Sequence, residues 1–248
     1  MSIEDRRNVV TGEVAICSPD REKSLEQLAR KFPRDWSGCK PTFVDGTECP
    51  FCKGHEKDTP PEIMAYRRAG TSPDSPDWWV RTIPNLGPAA DKELLGVSLS
   101  EDRMGICGVT NGFGYHYVIV ESPQHEVGLQ TMNLYQICEV VNMWRAVSMV
   151  LGAKTHIAHV FIFKNWGPNA GASQPHSHSQ VVALPFLPTT ILTELRGAEK
   201  YHKDHRKCPF CVDIDWELAM AGRIITDTGR FVAWCPYVSM SPYQIRIS

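Results

Sequence analysis

Cys49-Pro50-Phe51-Cys52 restricts what this chain can fold into more than any other four residues. The C-x2-C spacing lets two thiolates chelate one tetrahedral ion, and such an ion needs two further ligands. The sequence offers His125, in Glu121-Ser122-Pro123-Gln124-His125, and one histidine of the pair His176 and His178. A fold that satisfies the ion must therefore bring distant segments to one point. The same spacing also serves a redox disulfide or arises by chance. A redox role is disfavoured, because Lys53-Gly54-His55 follows instead of a strand-to-helix pattern. A filled Cys2His2 site would be a structural clamp that anchors the segment around His176.

His176-Ser177-His178-Ser179-Gln180 carries the reactive groups. It follows a segment, 164–175, that contains Gly167 and Gly171, and it runs on into the apolar stretch Val181 to Leu187. In an extended chain residues two apart face the same side, so His176, His178 and Gln180 would point one way. Backbone N–H groups of a glycine-containing loop are free to meet an anion. An imidazole beside them can attack phosphorus. The bland alternative is a turn with two solvated histidines.

With 248 residues and 42% hydrophobic content, the chain can bury a sizeable core as one or two domains. Its formal charge is −2, with Lys and Arg scattered and His205-Arg206-Lys207 the nearest thing to a patch. That distribution argues against nucleic acid as a partner. The start, Met1 to Arg7, is charged and lacks a signal-peptide apolar core, and no run reaches membrane-spanning length. The expected location is cytoplasmic, where nine cysteines point to metal or free thiols more than to disulfides. Cys17, Cys39, Cys107, Cys138 and Cys235 have no ligand-like spacing and are expected to be buried apolar groups.

The pattern predicts a helix over 134–150, with Leu134, Ile137, Cys138, Val141, Met143, Met149 and Val150 at helical spacing and an end near Gly152. Trp144 and the methionines read as core. Strands are predicted over 78–83, 115–121, 160–163 and 180–184, and a helix with a charged face over 190–207. Segments 57–61 and 70–76 are turn-rich. This order predicts an α+β fold built on an antiparallel sheet.

Part of the pattern repeats. Cys208-Pro209-Phe210-Cys211 repeats the first cysteine motif, Phe231 to Pro236 echoes Trp79 to Pro84, and Tyr243 to Ser248 echoes Tyr117 to Ser122. The sequence stops three positions before the counterpart of His125. We expect residues 189–248 to be the start of an incomplete second half, with a naturally short protein as the alternative. Cys208 and Cys211 are a candidate second metal site without histidines of their own, unless His202 and His205 serve.

Taken together, these residues resemble the galactose-1-phosphate uridylyltransferases and their close relatives the ADP-glucose phosphorylases, a branch of the histidine-triad superfamily. The matching positions are Cys49-Pro50-Phe51-Cys52, Ile83-Pro84-Asn85, Ser122-Pro123-Gln124-His125, Asn165, Gly171-Ala172-Ser173 and His176-x-His178-x-Gln180, in the family's order between Arg6 and Pro188. The resemblance implies a histidine-triad-like domain over 1–188. It implies zinc held by Cys49, Cys52, His125 and His176, with His178 as nucleophile. Gln180 and Ser173 would hold the transferred phosphoryl group beside the loop amides of Gly171 and Ala172, and Asn85 and Asn165 match positions that contact nucleotide and phosphate. It also implies sites paired across a homodimer. Two positions depart from the family. Arg21 fits the first of two basic residues near the opening Ser-Pro, but Ser24 stands where a second arginine is common. Ser177 replaces a frequent proline, a variant also found in the ADP-glucose phosphorylase branch.

The expected reaction moves a nucleoside monophosphate from a nucleotide sugar, UDP-glucose first, to a phosphate acceptor such as galactose 1-phosphate. ADP-glucose phosphorolysis is the alternative within the family. Gln180 bears on the choice of chemistry, because an amide can hold a non-bridging oxygen but cannot protonate a leaving group. The hydrolytic histidine-triad proteins place a third histidine there, so glutamine favours transfer between phosphates. Two other readings stay open: hydrolysis or phosphorolysis of dinucleotides, and a zinc-stabilised binding module without catalysis.

Overall fold

Alternating apolar residues build the elements that carry the candidate site. The protein is described by a computed structural model, which gives the backbone of 4–7 and 14–17 and residues 49–96, 112–125, 127–167, 170, 172 and 174–248. The chain divides into two compact units, one of residues 35–187 and one of residues 1–34 with 188–248.

In the second of these units, β1 (Glu4–Arg7) and β2 (Val14–Cys17) pair antiparallel. In the unit of residues 35–187, the strands are β3 (Met64–Arg67), β4 (Trp78–Pro84), β5 (Tyr115–Val120), β6 (His159–Phe163) and β7 (His178–Leu184). They form one antiparallel sheet in the order β3-β4-β5-β7-β6. The α1 helix (Leu134–Gly152) covers one face. It begins where the Asn133 side chain accepts a hydrogen bond from the Gln136 N–H at 2.9 Å, which satisfies a helix-end donor.

The face that α1 buries agrees with the expected one only at Met143 and the half-buried Ile137. Val140, Met143, Val147 and Leu151 are buried against Val80, Ile119, Val181 and Ala183, whereas Val141, Met149 and Val150 are exposed. Leu134 is 76% exposed. The helix carries two apolar stripes, and helical spacing alone does not say which one meets the sheet. The buried stripe wins because its 3-4-4 spacing aligns four side chains, each worth about 1.5–3 kcal/mol when buried. Trp144 does take a core role, donating its indole N–H to Ser179 Oγ at 2.7 Å.

On β5 and β7 the pleat separates two populations. Ile119, Val181 and Ala183 face α1, while Val118, His116, His178 and Gln180 border a cavity on the opposite face. The register sets Val120 opposite His178 and Val118 opposite Gln180. Strand β7 begins two residues earlier than the apolar run predicts, so His178 is held by the ladder itself. β3 was not foreseen, being four residues, Met-Ala-Tyr-Arg, with no β-branched side chain.

In the other unit, α2 (Thr189–His205) and α3 (Pro209–Met220) precede β8 (Ile224–Asp227), β9 (Val232–Trp234) and β10 (Arg246–Ile247). Helix α3 was not anticipated, although Pro209 directly after the capping position Cys208 is a sound helix start. The antiparallel order β8-β9-β10 is the same three-strand meander as β3-β4-β5, and each follows a Cys-Pro-Phe-Cys. Cys138 is exposed and Cys235 half-buried, so the expectation of a buried Cys138 is overturned: it lies off the stripe of α1 that meets the sheet. Cys17, Cys39 and Cys107 lie outside the described side chains.

Candidate active site and metal cluster

A tight turn sets the two sulfurs. The Cys52 N–H donates to the Cys49 carbonyl at 3.1 Å and the His55 N–H to the Cys52 carbonyl at 3.1 Å. After β5 the chain turns again, with Ser122 Oγ accepting the Gln124 N–H at 3.0 Å. That turn brings His125 Nδ1 to 3.3 Å from Cys52 Sγ. His176 Nδ1 lies 3.5 Å from Cys52 Sγ and 3.6 Å from Cys49 Sγ. The four ligand atoms fall within 4.8 Å of one another, the one such group among the described residues.

The protonation pattern suits a metal. His176 Nε2 donates to the Ser122 carbonyl at 2.7 Å, which leaves the Nδ1 lone pair facing the sulfurs. Burial, opposed by that hydrogen bond, lowers the His176 imidazole to about 4, so it is neutral as a ligand must be. Burial and the neighbouring Cys49 sulfur push the Cys52 thiol up to about 12. A divalent cation would supply the charge that lets both thiols ionise. Two sulfurs and two imidazole nitrogens make a donor set that fits a closed tetrahedral site.

His178 sits beside this cluster. Its Nδ1 donates to the His176 carbonyl at 2.8 Å, so Nε2 carries the lone pair. Burial holds its pKa below the ordinary imidazole value, the hydrogen bond to His176 opposing. Phe51 packs edge-on against both rings, with centroids 6.0 Å from His176 and 5.6 Å from His178. With His176 0% and His178 5% exposed, the reading of two solvated histidines is overturned.

A cavity of about 480 Å³ opens at His178 and Gln180, lined also by Phe51, Asn85, His116 and Gln174. Gln180 Oε1 receives His116 Nε2 at 2.9 Å and Asn85 Nδ2 at 3.4 Å. Behind the histidines, the ammonium of Lys164 bonds Glu121 Oε2 at 2.6 Å, Ser177 Oγ at 3.0 Å and the His178 carbonyl at 3.0 Å. Ser177 in turn donates to Glu121 Oε2 at 2.6 Å. Glu121 is fully buried, and the ion pair and hydrogen bonds on Oε2 offset part of the cost of burying it, while Oε1 finds no hydrogen-bond partner among the described residues.

Cys49, Cys52, His125 and His176 are thus brought together, and His178, Gln180 and Asn85 share the cavity. Asn165, beyond the end of β6, and Ala172, whose N–H donates to the Gly167 carbonyl at 3.2 Å, are half-buried and do not line it. Arg21, Gly171 and Ser173 lie outside the described residues. Cys208 and Cys211 are exposed at the start of α3, and among the described residues no third ligand groups with them. Sequence reasoning gave no role to His116, Lys164, Glu121 or Phe51. A weak signal existed for the charged two, each of which directly ends an apolar strand: Val-Ile-Val-Glu and Phe-Ile-Phe-Lys.

The family model of the galactose-1-phosphate uridyl transferase N-terminal domain matches residues 106–188. A crystal structure of an ADP-glucose phosphorylase from Arabidopsis thaliana with bound ADP-glucose superposes with a TM-score of 0.73 at 30% identity, covering 100% of this chain and 68% of that one. The chain belongs to the family of galactose-1-phosphate uridylyltransferases and ADP-glucose phosphorylases. Against the Arabidopsis thaliana ADP-glucose phosphorylase sequence it is 32% identical over 247 residues, 99% of this chain and 65% of the relative. Against the Thermotoga maritima galactose-1-phosphate uridylyltransferase it is 30% identical over 208 residues, 84% of this chain and 59% of the relative. It therefore spans between 59% and 68% of the length of these family members. Among the described residues no helix is long and apolar enough to cross a membrane.

Proposed function

We propose that this protein transfers a nucleoside monophosphate from a nucleotide sugar to a phosphate acceptor through a covalent intermediate on His178. The observation that carries this is the His178 ring: buried, neutral, and anchored through Nδ1 to the His176 carbonyl beside a cavity shared with Gln180. The Nε2 lone pair would form an N–P bond to the α-phosphorus as the P–O bond to the sugar phosphate breaks. That leaving group departs with the electron pair as a stable oxyanion, which needs no strong acid. An oxygen of the acceptor phosphate then attacks the same phosphorus, and the N–P pair returns to Nε2.

Zinc is the proposed occupant of the Cys49–Cys52–His125–His176 cluster, where it would act as a structural clamp with all four positions filled. Residues 189–248 are proposed as the beginning of a second, related half, a reading supported by the matching meander. We place a homodimer and a cytoplasmic location with these proposals.

ADP-glucose with inorganic phosphate is the first pair to test, because the likeness to the ADP-glucose phosphorylase runs over 99% of the chain. UDP-glucose with galactose 1-phosphate is the second reading, favoured by the match to the uridyl transferase domain. Intact-mass spectrometry after incubation with each donor decides between them: an adenylyl adduct supports the first, a uridylyl adduct the second. Absence of any adduct, together with no exchange of either donor with phosphate, would overturn the proposal.

A further inference from the structure

Gln180 lines the cavity, and its value to a phosphoryl group depends on which end of the amide it presents. An NH2 donates to a non-bridging oxygen, whereas a C=O would repel it. The neighbours of Gln180 settle that polarity, starting from two backbone groups that can only donate. The Ala89 N–H donates to His116 Nδ1 at 2.9 Å. That nitrogen must be the acceptor, so the hydrogen of the neutral ring sits on Nε2, which points at Gln180 Oε1 from 2.9 Å. The Gly87 N–H donates to Asn85 Oδ1 at 2.9 Å, which turns Asn85 Nδ2 the other way, toward Gln180 Oε1 at 3.4 Å. Asn85 Nδ2 and His116 Nε2 lie 3.1 Å apart. Both are donors, and the approach is tolerable because they aim at one shared oxygen.

We propose that His116 is a positioning residue that fixes the Gln180 amide with its NH2 directed into the cavity, making this side chain an obligate donor to the phosphoryl group. The proposal rests on nucleotidyl transfer through His178 as the reaction of this cavity. His116 is well placed for the task. It is 8% exposed on β5, one diagonal step from Gln180 on the same face of the sheet, and its own orientation is set by the chain at Ala89 and not by substrate. The assignment makes the site selective for an acceptor-rich group at this position, as a phosphate is.

Two measurements on the purified protein test it. The first is the nitrogen NMR spectrum of the His116 ring, which reports the tautomer without any reaction. A hydrogen on Nε2 is expected, and a hydrogen on Nδ1 would overturn the proposal. The second is the single-turnover rate of adduct formation in a double-mutant cycle with Gln180. His116→Phe keeps a ring but removes the donor, and it should slow the adduct about 10–100-fold, less than the roughly 100–1,000-fold for losing a donor outright, because the Gln180 amide is misaligned and not removed. In a Gln180→Ala background the same change should cost less than about twofold, because there is no amide left to orient. His116→Glu places an acceptor against Oε1 and should slow the reaction more than His116→Phe. His116→Gln can still accept from Ala89 and donate to Gln180, and should recover part of the rate. Equal slowing by His116→Phe with and without Gln180 would reduce His116 to a structural residue and overturn the proposal. A wild-type protein that forms no adduct would instead sink the reaction, with the tautomer then deciding the role of His116.

Discussion

The carbonyl of His176 accepts the Nδ1–H of His178 at 2.8 Å, so the residue that closes the cysteine–histidine cluster also aims the ring facing the cavity. A disturbance of the cluster reaches His178 through this hydrogen bond and through Phe51, which lies between the two cysteines and packs against both rings. Changes at the ligands should therefore lower activity as a consequence of lost order, whereas changes at His178 should leave the cluster standing.

Cys49→Ser tests the first half of that statement. Cys49 is fully buried and contributes one of the four donors. The variant should lose most of its bound metal, expected at one zinc per chain in the parent. Its melting temperature should fall by at least about 4 °C, the equivalent of roughly 1–2 kcal/mol in a chain of this size. Metal analysis and a thermal scan are sufficient. Unchanged stoichiometry with an unchanged transition would remove the cluster from consideration as a metal site.

The buried ion pair behind the histidines makes a second prediction. Lys164→Met strands the Glu121 carboxylate where water cannot reach it, and should destabilise by about 3–5 kcal/mol. Glu121→Gln strands the ammonium and should cost a similar amount, softened by the 16% exposure of the Lys164 side chain. The double variant should lose clearly less than the sum of the two, a coupling read from a denaturation cycle. Strict additivity would mean that the pair contributes nothing specific to the order of the 176–178 segment.

How much of this was legible beforehand follows from the range over which each feature acts. The strands at 78–84, 115–120 and 159–163 and the helix at 134–152 are local apolar patterns, and their positions could be read directly. The face of α1 could not, because choosing between its two apolar stripes requires the sheet it packs on. The C-x2-C and H-x-H-x-Q motifs were visible because each holds its spacing within a few residues. Glu121, Lys164 and Ser177 act as one unit across more than fifty positions, and nothing in their local context encodes the meeting. His116 was hidden for a related reason. Between Tyr115 and Tyr117 it reads as one more ring on a strand, and only the pairing with β7 brings it to Gln180.

Gln180→Ala should slow adduct formation by about one to three decades, the scale of losing one donor to developing charge. The adduct should still form, since the amide makes no bond to phosphorus. Zinc content and melting temperature should stay close to those of the parent, because Gln180 lies outside the four-donor group. A variant that forms the adduct at the parental rate would remove Gln180 from the transfer step.

His178 carries the sharpest expectation. His176 has Nε2 committed to the Ser122 carbonyl and Nδ1 committed to the cluster, so neither nitrogen is available to phosphorus. Among the described residues His178 hydrogen-bonds through Nδ1 alone, its imidazole is held below the ordinary pKa by burial, and the residue borders the cavity. His178→Asn should therefore abolish the covalent adduct while zinc content stays near the parental value, and the loss should be complete because asparagine offers no nucleophilic nitrogen. His176→Asn should give the opposite order of events, with metal content and melting temperature falling first and the adduct disappearing with them. Peptide mapping of the trapped intermediate identifies the modified residue, and a nucleotide found on any residue other than His178 would refute the assignment of the nucleophile.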